Sequence, residues 1–175
     1  MAKTSGGTRN VPTGSKAHQK RIDEVKRMKE SGLYSSVKMY NTGWVAVEKS
    51  GSKHSRVEVE ASIHLARKGY KVTLTDEGGQ LKSPDGKIFN FVYEQRTPNK
   101  SLGAKGVQKA IEHARKKVTA NQNIDVALIY DKYRRFKRED VEEGIALYEK
   151  HNKHRFKRII IVSSDGNIHI HKHND

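Results

Sequence analysis

The chain has 175 residues, 34% hydrophobic and 31% charged, enough for one well-packed domain with a tail and a heavily charged surface. Lys and Arg number 35 against 20 Asp and Glu, a formal net charge of +15, so the surface repels itself and a polyanion would relieve that repulsion; nucleic acid is the expected partner, ahead of an anionic membrane. The absence of cysteine excludes disulfides and thiolate metal sites, and no apolar run approaches the ~18 residues needed to cross a bilayer.

Met1 to Gly7 has no hydrophobic stretch after its first charge, so no secretory signal is expected. A cytoplasmic protein, or one that unfolds for delivery into a target-cell cytoplasm, fits the missing cysteines. Residues 1–20, rich in Gly, Ser, Thr and Lys and without hydrophobic periodicity, read as a flexible basic arm able to follow a phosphate backbone. Residues 21–54 read as a helix and β-hairpin extension. The helix starts near Ser15, runs to Glu30 and ends at Gly32; the hairpin strands Ser36–Tyr40 and Trp44–Glu48 flank an Asn41-Thr42-Gly43 turn. Trp44, the only tryptophan, is expected to anchor this hairpin and not to stack on a base.

Residues 55–175 read as an α/β domain. A helix from Ser55 to Lys68 is stopped by Gly69, and a strand follows at Tyr70–Thr75. Asp76-Glu77-Gly78-Gly79 and Ser83-Pro84-Asp85-Gly86 form turns before a strand at Ile88–Arg96. The helix predicted over Leu102–Ala120 carries Val107, Ala110, Ile111, Ala114 and Val118 on one stripe. Asp125–Tyr130 is a short apolar strand suited to a sheet interior. Then come a helix at Glu139–Lys150 with Val141, Ile145 and Tyr148 inward, a strand at Arg158–Val162, a Ser164–Asn167 turn and a last strand from Ile168. The alternation defines the fold class: a central mixed β-sheet flanked by helices, with an N-terminal helix and β-hairpin.

The candidate chemistry centres on Ser83 to Arg96. Asp85 sits in a tight turn, and Glu94 follows nine residues later on a strand where Glu94 and Arg96 share one face. Two converging carboxylates suit Mg²⁺, which takes oxygen ligands and keeps several waters, and a neighbouring cation would orient water or neutralise phosphate. In the preceding helix, Glu58 falls between two apolar stripes beside Ser62, whereas Glu60 falls on the other side with His64 and Arg67. Glu58 is therefore expected to point toward the sheet, where a metal or Arg96 would satisfy it.

The helix with Glu58 and Glu60, Leu65-Ala66-Arg67-Lys68-Gly69-Tyr70-Lys71-Val72, Pro84-Asp85-Gly86 and Glu94-Gln95-Arg96 occur in an order that resembles the PD-(D/E)XK nuclease superfamily. Within it, the chain resembles the C-terminal tRNase toxin domains of contact-dependent inhibition proteins and related mobile-element domains, over about residues 55 to 165. The resemblance implies a Mg²⁺- or Mn²⁺-dependent endonuclease acting on RNA, tRNA in particular. It also makes an acidic immunity protein a conceivable partner. It assigns Asp85 and Glu94 as metal ligands, Arg96 to the lysine position, and Glu58 or Glu60 to the helix carboxylate. Arg96 is a departure, because arginine stays charged and cannot act as a base. A non-catalytic nucleic-acid-binding protein on a degenerate nuclease fold is the alternative.

Basic residues supply the expected nucleic-acid surface. Lys105, Lys109, Arg115 and Lys116 lie on the second long helix of the α/β part, and Arg134, Arg135 and Lys137 interleave with Tyr133 and Phe136, a mixture suited to phosphate contact and base stacking. His169, His171 and His173 would share one face of the last strand, with the outer two roughly 13 Å apart and beyond the reach of one ion, so a solvated edge strand is expected there. A metal-independent ribonuclease using His64 or His113 as base ranks last, since no paired-histidine spacing supports it.

Overall fold

In the computed structural model, residues 3–6, 8–49, 54–75, 84–117 and 123–173 are described. The chain divides into two units, one of residues 8–90 and one of residues 91–175 with 1–7.

In the first unit, α1 (Lys16–Glu30) is capped by Ser15, whose side chain accepts the His18 N–H at 3.1 Å. It buries Val25 against Val37, Trp44 and Ala46 of the hairpin β2 (Tyr34–Tyr40) and β3 (Gly43–Glu48). The hairpin turns through Asn41 at φ 54°, a left-handed conformation that asparagine tolerates. Trp44 is 6% exposed and donates from Nε1 to Glu24 at 3.3 Å, so it does anchor the hairpin. Helix α2 (Arg56–Arg67) buries Ala61, Ser62, Leu65 and Ala66 and packs on β3 and β4 (Lys71–Leu74). Strand β4 runs parallel to β3, and β5 (Gly86–Ile88) is antiparallel to β4.

The second unit starts at β6 (Phe91–Arg96) and continues through α3 (Gly103–Arg115), β7 (Val126–Asp131), α4 (Arg138–His151), β8 (Arg158–Ser163) and β9 (Ile168–Lys172). Strands β6, β7 and β8 are parallel, as two helical crossovers require, and β9 returns antiparallel to β8. All six residues of β7 are buried, the near-continuous apolar run of a strand covered on both faces. Val107 and Ile111 of α3, Val141 and Ile145 of α4, and Ala127 and Ile161 of the sheet share one core. The helices approach closely at Gly144, where a Cβ would fall 2.6 Å from the Ala104 carbonyl oxygen. The chain is thus α/β, with mixed sheet flanked by helices. No helix among the described residues is long and apolar enough to cross a membrane.

Three expectations are corrected. The strand read as Ile88–Arg96 is two strands, because the chain turns at Phe89-Asn90 with Phe89 at φ 53°. Part of the expected flexible arm is ordered: β1 (Lys3–Gly6) pairs antiparallel with β9, and Arg9, Thr8 and Asn10 hydrogen-bond to the carbonyls that end α2. The last strand is consequently no solvated edge, since β9 lies between β8 and β1.

Candidate functional site

The candidate carboxylates are placed by different local forces. Residues 76–83, with the Asp76–Gly79 turn and Ser83, lie outside the described residues. Asp85 is half-buried; its carbonyl accepts the Thr75 N–H at 3.2 Å, and Thr75 Oγ1 donates to the Pro84 carbonyl at 2.6 Å. These bonds tie the turn to the end of β4.

Glu58 finds its partner in its own helix end. As the third residue of α2 it accepts the Ser55 N–H at 3.0 Å, while Ser55 Oγ accepts the Glu58 N–H at 3.3 Å. His54 Nδ1 lies 3.4 Å from the same carboxylate. The inward aim read from the helix wheel is corrected by this capping box: the unsatisfied N–H groups of a first turn are the nearest donors to a carboxylate three residues in. Glu60 pairs with Arg56 at 3.1 Å. The Ser-x-x-Glu spacing of Ser55 and Glu58 was the sequence signal for it.

On β6 the two-residue period puts Glu94 and Arg96 on one face, with Arg96 Nη2 3.7 Å from Glu94 Oε1. The Glu94 side chain is 9% exposed and that of Arg96 32%. A carboxylate this buried is uncommon unless paired, and Arg96 provides the charge. Arg96 Nη2 also reaches the His113 carbonyl at 3.5 Å, and its Nε is enclosed with no hydrogen-bond partner. Arg96 ends β6 and enters a cleft of about 340 Å³ bounded by Asn99, Lys100, Ser101, Lys109 and His113. Three cationic side chains in one small cleft suit a phosphate.

The basic residues named from sequence all belong to this second unit. Lys105, Lys109, His113 and Lys116 are exposed along one stripe of α3, opposite the buried Val107, Ala110, Ile111 and Ala114; Arg115 is half-buried. Val118 lies outside the described residues. After β7, Arg134, Arg135 and Lys137 are exposed. Of the interleaved aromatics, Tyr133 is 52% exposed, whereas Phe136 packs against the core.

Asp131, which sequence reading passed over, shapes that loop. It is 3% exposed, and its carboxylate accepts the N–H groups of Arg135 at 2.8 Å and Phe136 at 3.1 Å. Arg134 is held at φ 53° and reaches Asp165 at 3.6 Å. An acid ending a fully apolar strand just before a basic run was the missed signal.

The histidine face of β9 is mostly enclosed. His171 is 8% exposed and bonds Glu149 at 2.6 Å, the same carboxylate that pairs with Arg155. His169 is half-buried, and burial foremost holds its imidazole below the usual range. Among the described residues no three His, Asp or Glu side chains come together as a metal-binding group.

A scan against protein-family models finds no match, and a comparison with curated proteins finds none. Among solved structures, the chain is similar to the CdiA-CT/CdiI toxin and immunity complex from Burkholderia pseudomallei. The match has 18% identity and a TM-score of 0.47, and covers 97% of this chain and 98% of that chain.

Proposed function

We propose that the chain is a metal-dependent nuclease that hydrolyses phosphodiester bonds in RNA, tRNA foremost, and that it serves as a toxin domain acting in a target-cell cytoplasm. The observation that supports this reading is the buried Glu94 carboxylate beside Arg96, where β6 ends in a cationic cleft. Glu94 is a hard oxygen ligand of the kind Mg²⁺ or Mn²⁺ takes, and the sequence resemblance assigns a second carboxylate to Asp85. A bound metal would polarise the phosphoryl oxygen and make its water more acidic. Arg96, always charged, holds phosphate and takes no proton. The α3 lysines and the 134–137 loop supply sequence-independent grip on the backbone. The net charge of +15 makes an acidic immunity protein the fitting inhibitor.

The test is incubation with total RNA and plasmid DNA in Mg²⁺, in Mn²⁺ and in chelator. RNA cleavage is expected in metal and not in chelator. Glu94→Gln and Asp85→Asn should each slow it by about 10–100-fold or more, the loss seen when groups supporting a metal site are removed. Undiminished cleavage in both variants overturns the metal assignment.

One observation favours a second reading, a binding protein without chemistry: Glu94 is already balanced by Arg96 in the position where the resemblance asks for lysine. That reading expects salt-sensitive RNA binding with no products at any metal concentration.

A further inference from the structure

The 91–175 unit holds a larger cleft, of about 530 Å³, that shares no lining residue with the cleft at Arg96. We propose that it is a nucleotide-binding subsite, taking one unstacked nucleotide with its base in the cleft and its phosphate on Arg134 and Arg138. The inference deepens the nuclease reading by naming what would anchor the substrate strand, yet a mononucleotide tests it alone.

Four observations carry it. The cleft opens at the ends of the parallel strands β7 and β8, whose last residues Asp131 and Ser163 line it, and ligands of α/β sheets gather at the carboxyl ends of strands. Its size falls in the range of small-molecule sites, and its walls mix apolar Val141 and Ile161 with convergent polar groups, as a base requires.

The loop over it is pre-shaped. Arg134 stands at φ 53°, a conformation disfavoured for any residue with a Cβ, and it persists because Asp131 holds the next two backbone N–H groups. The exposed Arg134 side chain thereby starts from a set backbone position at the rim, with Asp165 3.6 Å from its guanidinium.

Finally, His169 lines the cleft, and its Nε2 is enclosed without a hydrogen-bond partner. A buried ring nitrogen left unsatisfied is costly, and a base edge or ribose hydroxyl would supply the missing bond. A neutral imidazole serves as donor or acceptor according to tautomer.

The experiment follows the His169 ring signals by NMR while AMP, CMP, GMP, UMP, inorganic phosphate or a four-nucleotide RNA is added to the full chain. At least one mononucleotide should shift those signals saturably, and phosphate alone should not. Arg134→Gly keeps the left-handed backbone, so it should preserve the fold while weakening nucleotide binding about tenfold or more, the loss of one charge-assisted contact. Tighter binding of the tetranucleotide identifies an RNA strand as the source; equal binding identifies the free nucleotide. The proposal is overturned if no nucleotide moves the His169 signals, if phosphate moves them equally, or if binding survives Arg134→Gly unchanged. RNA cleavage by a chain that binds no mononucleotide sinks this subsite and leaves the nuclease reading standing. Nucleotide binding without cleavage does the reverse.

Discussion

Arg96 is an arginine where the nuclease resemblance asks for lysine, and its surroundings give that difference a consequence. Its guanidinium lies 3.7 Å from the buried Glu94 carboxylate and reaches the His113 carbonyl, so it acts as counter-ion and rim cation together. Arg96→Lys places a compact ammonium that can change protonation state. It is expected to raise Mg²⁺-dependent RNA cleavage by about 100-fold, the lower end of what proton-transfer catalysis contributes, read as initial rates. Glu58 teaches the opposite lesson. Its place on the helix wheel was legible, but its nearest donors were the N–H groups of its own first turn, and the capping box took it. A wheel gives the azimuth of a side chain and not its competition for partners.

Helix α3 carries two independent patterns, an apolar stripe into the core and a cationic stripe outward, and both were readable from the 3.6-residue period. Replacing Lys105, Lys109 and Lys116 together by Ala should lower the slope of log K against log salt for RNA binding by about 2, since each lost phosphate contact on a single strand removes about 0.7. An unchanged slope would show that the stripe faces no phosphate. The buried side meets α4 at Gly144, where a methyl group would press on the Ala104 carbonyl and Val107. Gly144→Ala gains about 1 kcal/mol of helix propensity but overpacks against backbone by about 1–3 kcal/mol. A net loss of up to about 2 kcal/mol in urea unfolding is expected. The break at Phe89-Asn90 was hard to read, because Asn90 is a lone turn former among β-forming neighbours and Phe89 adopts a left-handed conformation that its residue type argues against.

At the scale of the whole molecule, charge and protonation act together. Burial, foremost, lowers the pKa of both His154 and His169; Arg115 and Arg155 add to the effect at His154, while at His169 Glu142 opposes it and Arg138 and His171 add to it. The unfolded chain binds those protons at the ordinary histidine pKa near 6.5. Below it the unfolded state therefore holds more protons than the folded state, and stability falls as pH falls. Protonating further histidines on a chain already at +15 adds self-repulsion in the same direction. The urea midpoint is expected to drop between pH 7.5 and pH 5.5. His154→Gln should shrink the drop, and added RNA should oppose it by neutralising surface charge and by binding the folded state. A midpoint that rises on acidification would contradict the lowered pKa of both imidazoles.

The sequence by itself determined the elements and the balance of charge: the four helices of the described residues, most of their strands, the α/β class and the basic stripe of α3 follow from periodicity, caps and composition, which are local. Tertiary structure alone decided what depends on partners distant in the chain. Lys3–Gly6 is a strand because β9 offers it a ladder of backbone hydrogen bonds, and His171 is buried because Glu149, 22 residues away, accepts its proton-bearing face. Asp131 became the organiser of the 132–138 loop because a sheet end left two N–H groups within reach of one carboxylate. Composition carries no record of such meetings, since each requires the chain to have closed on itself first.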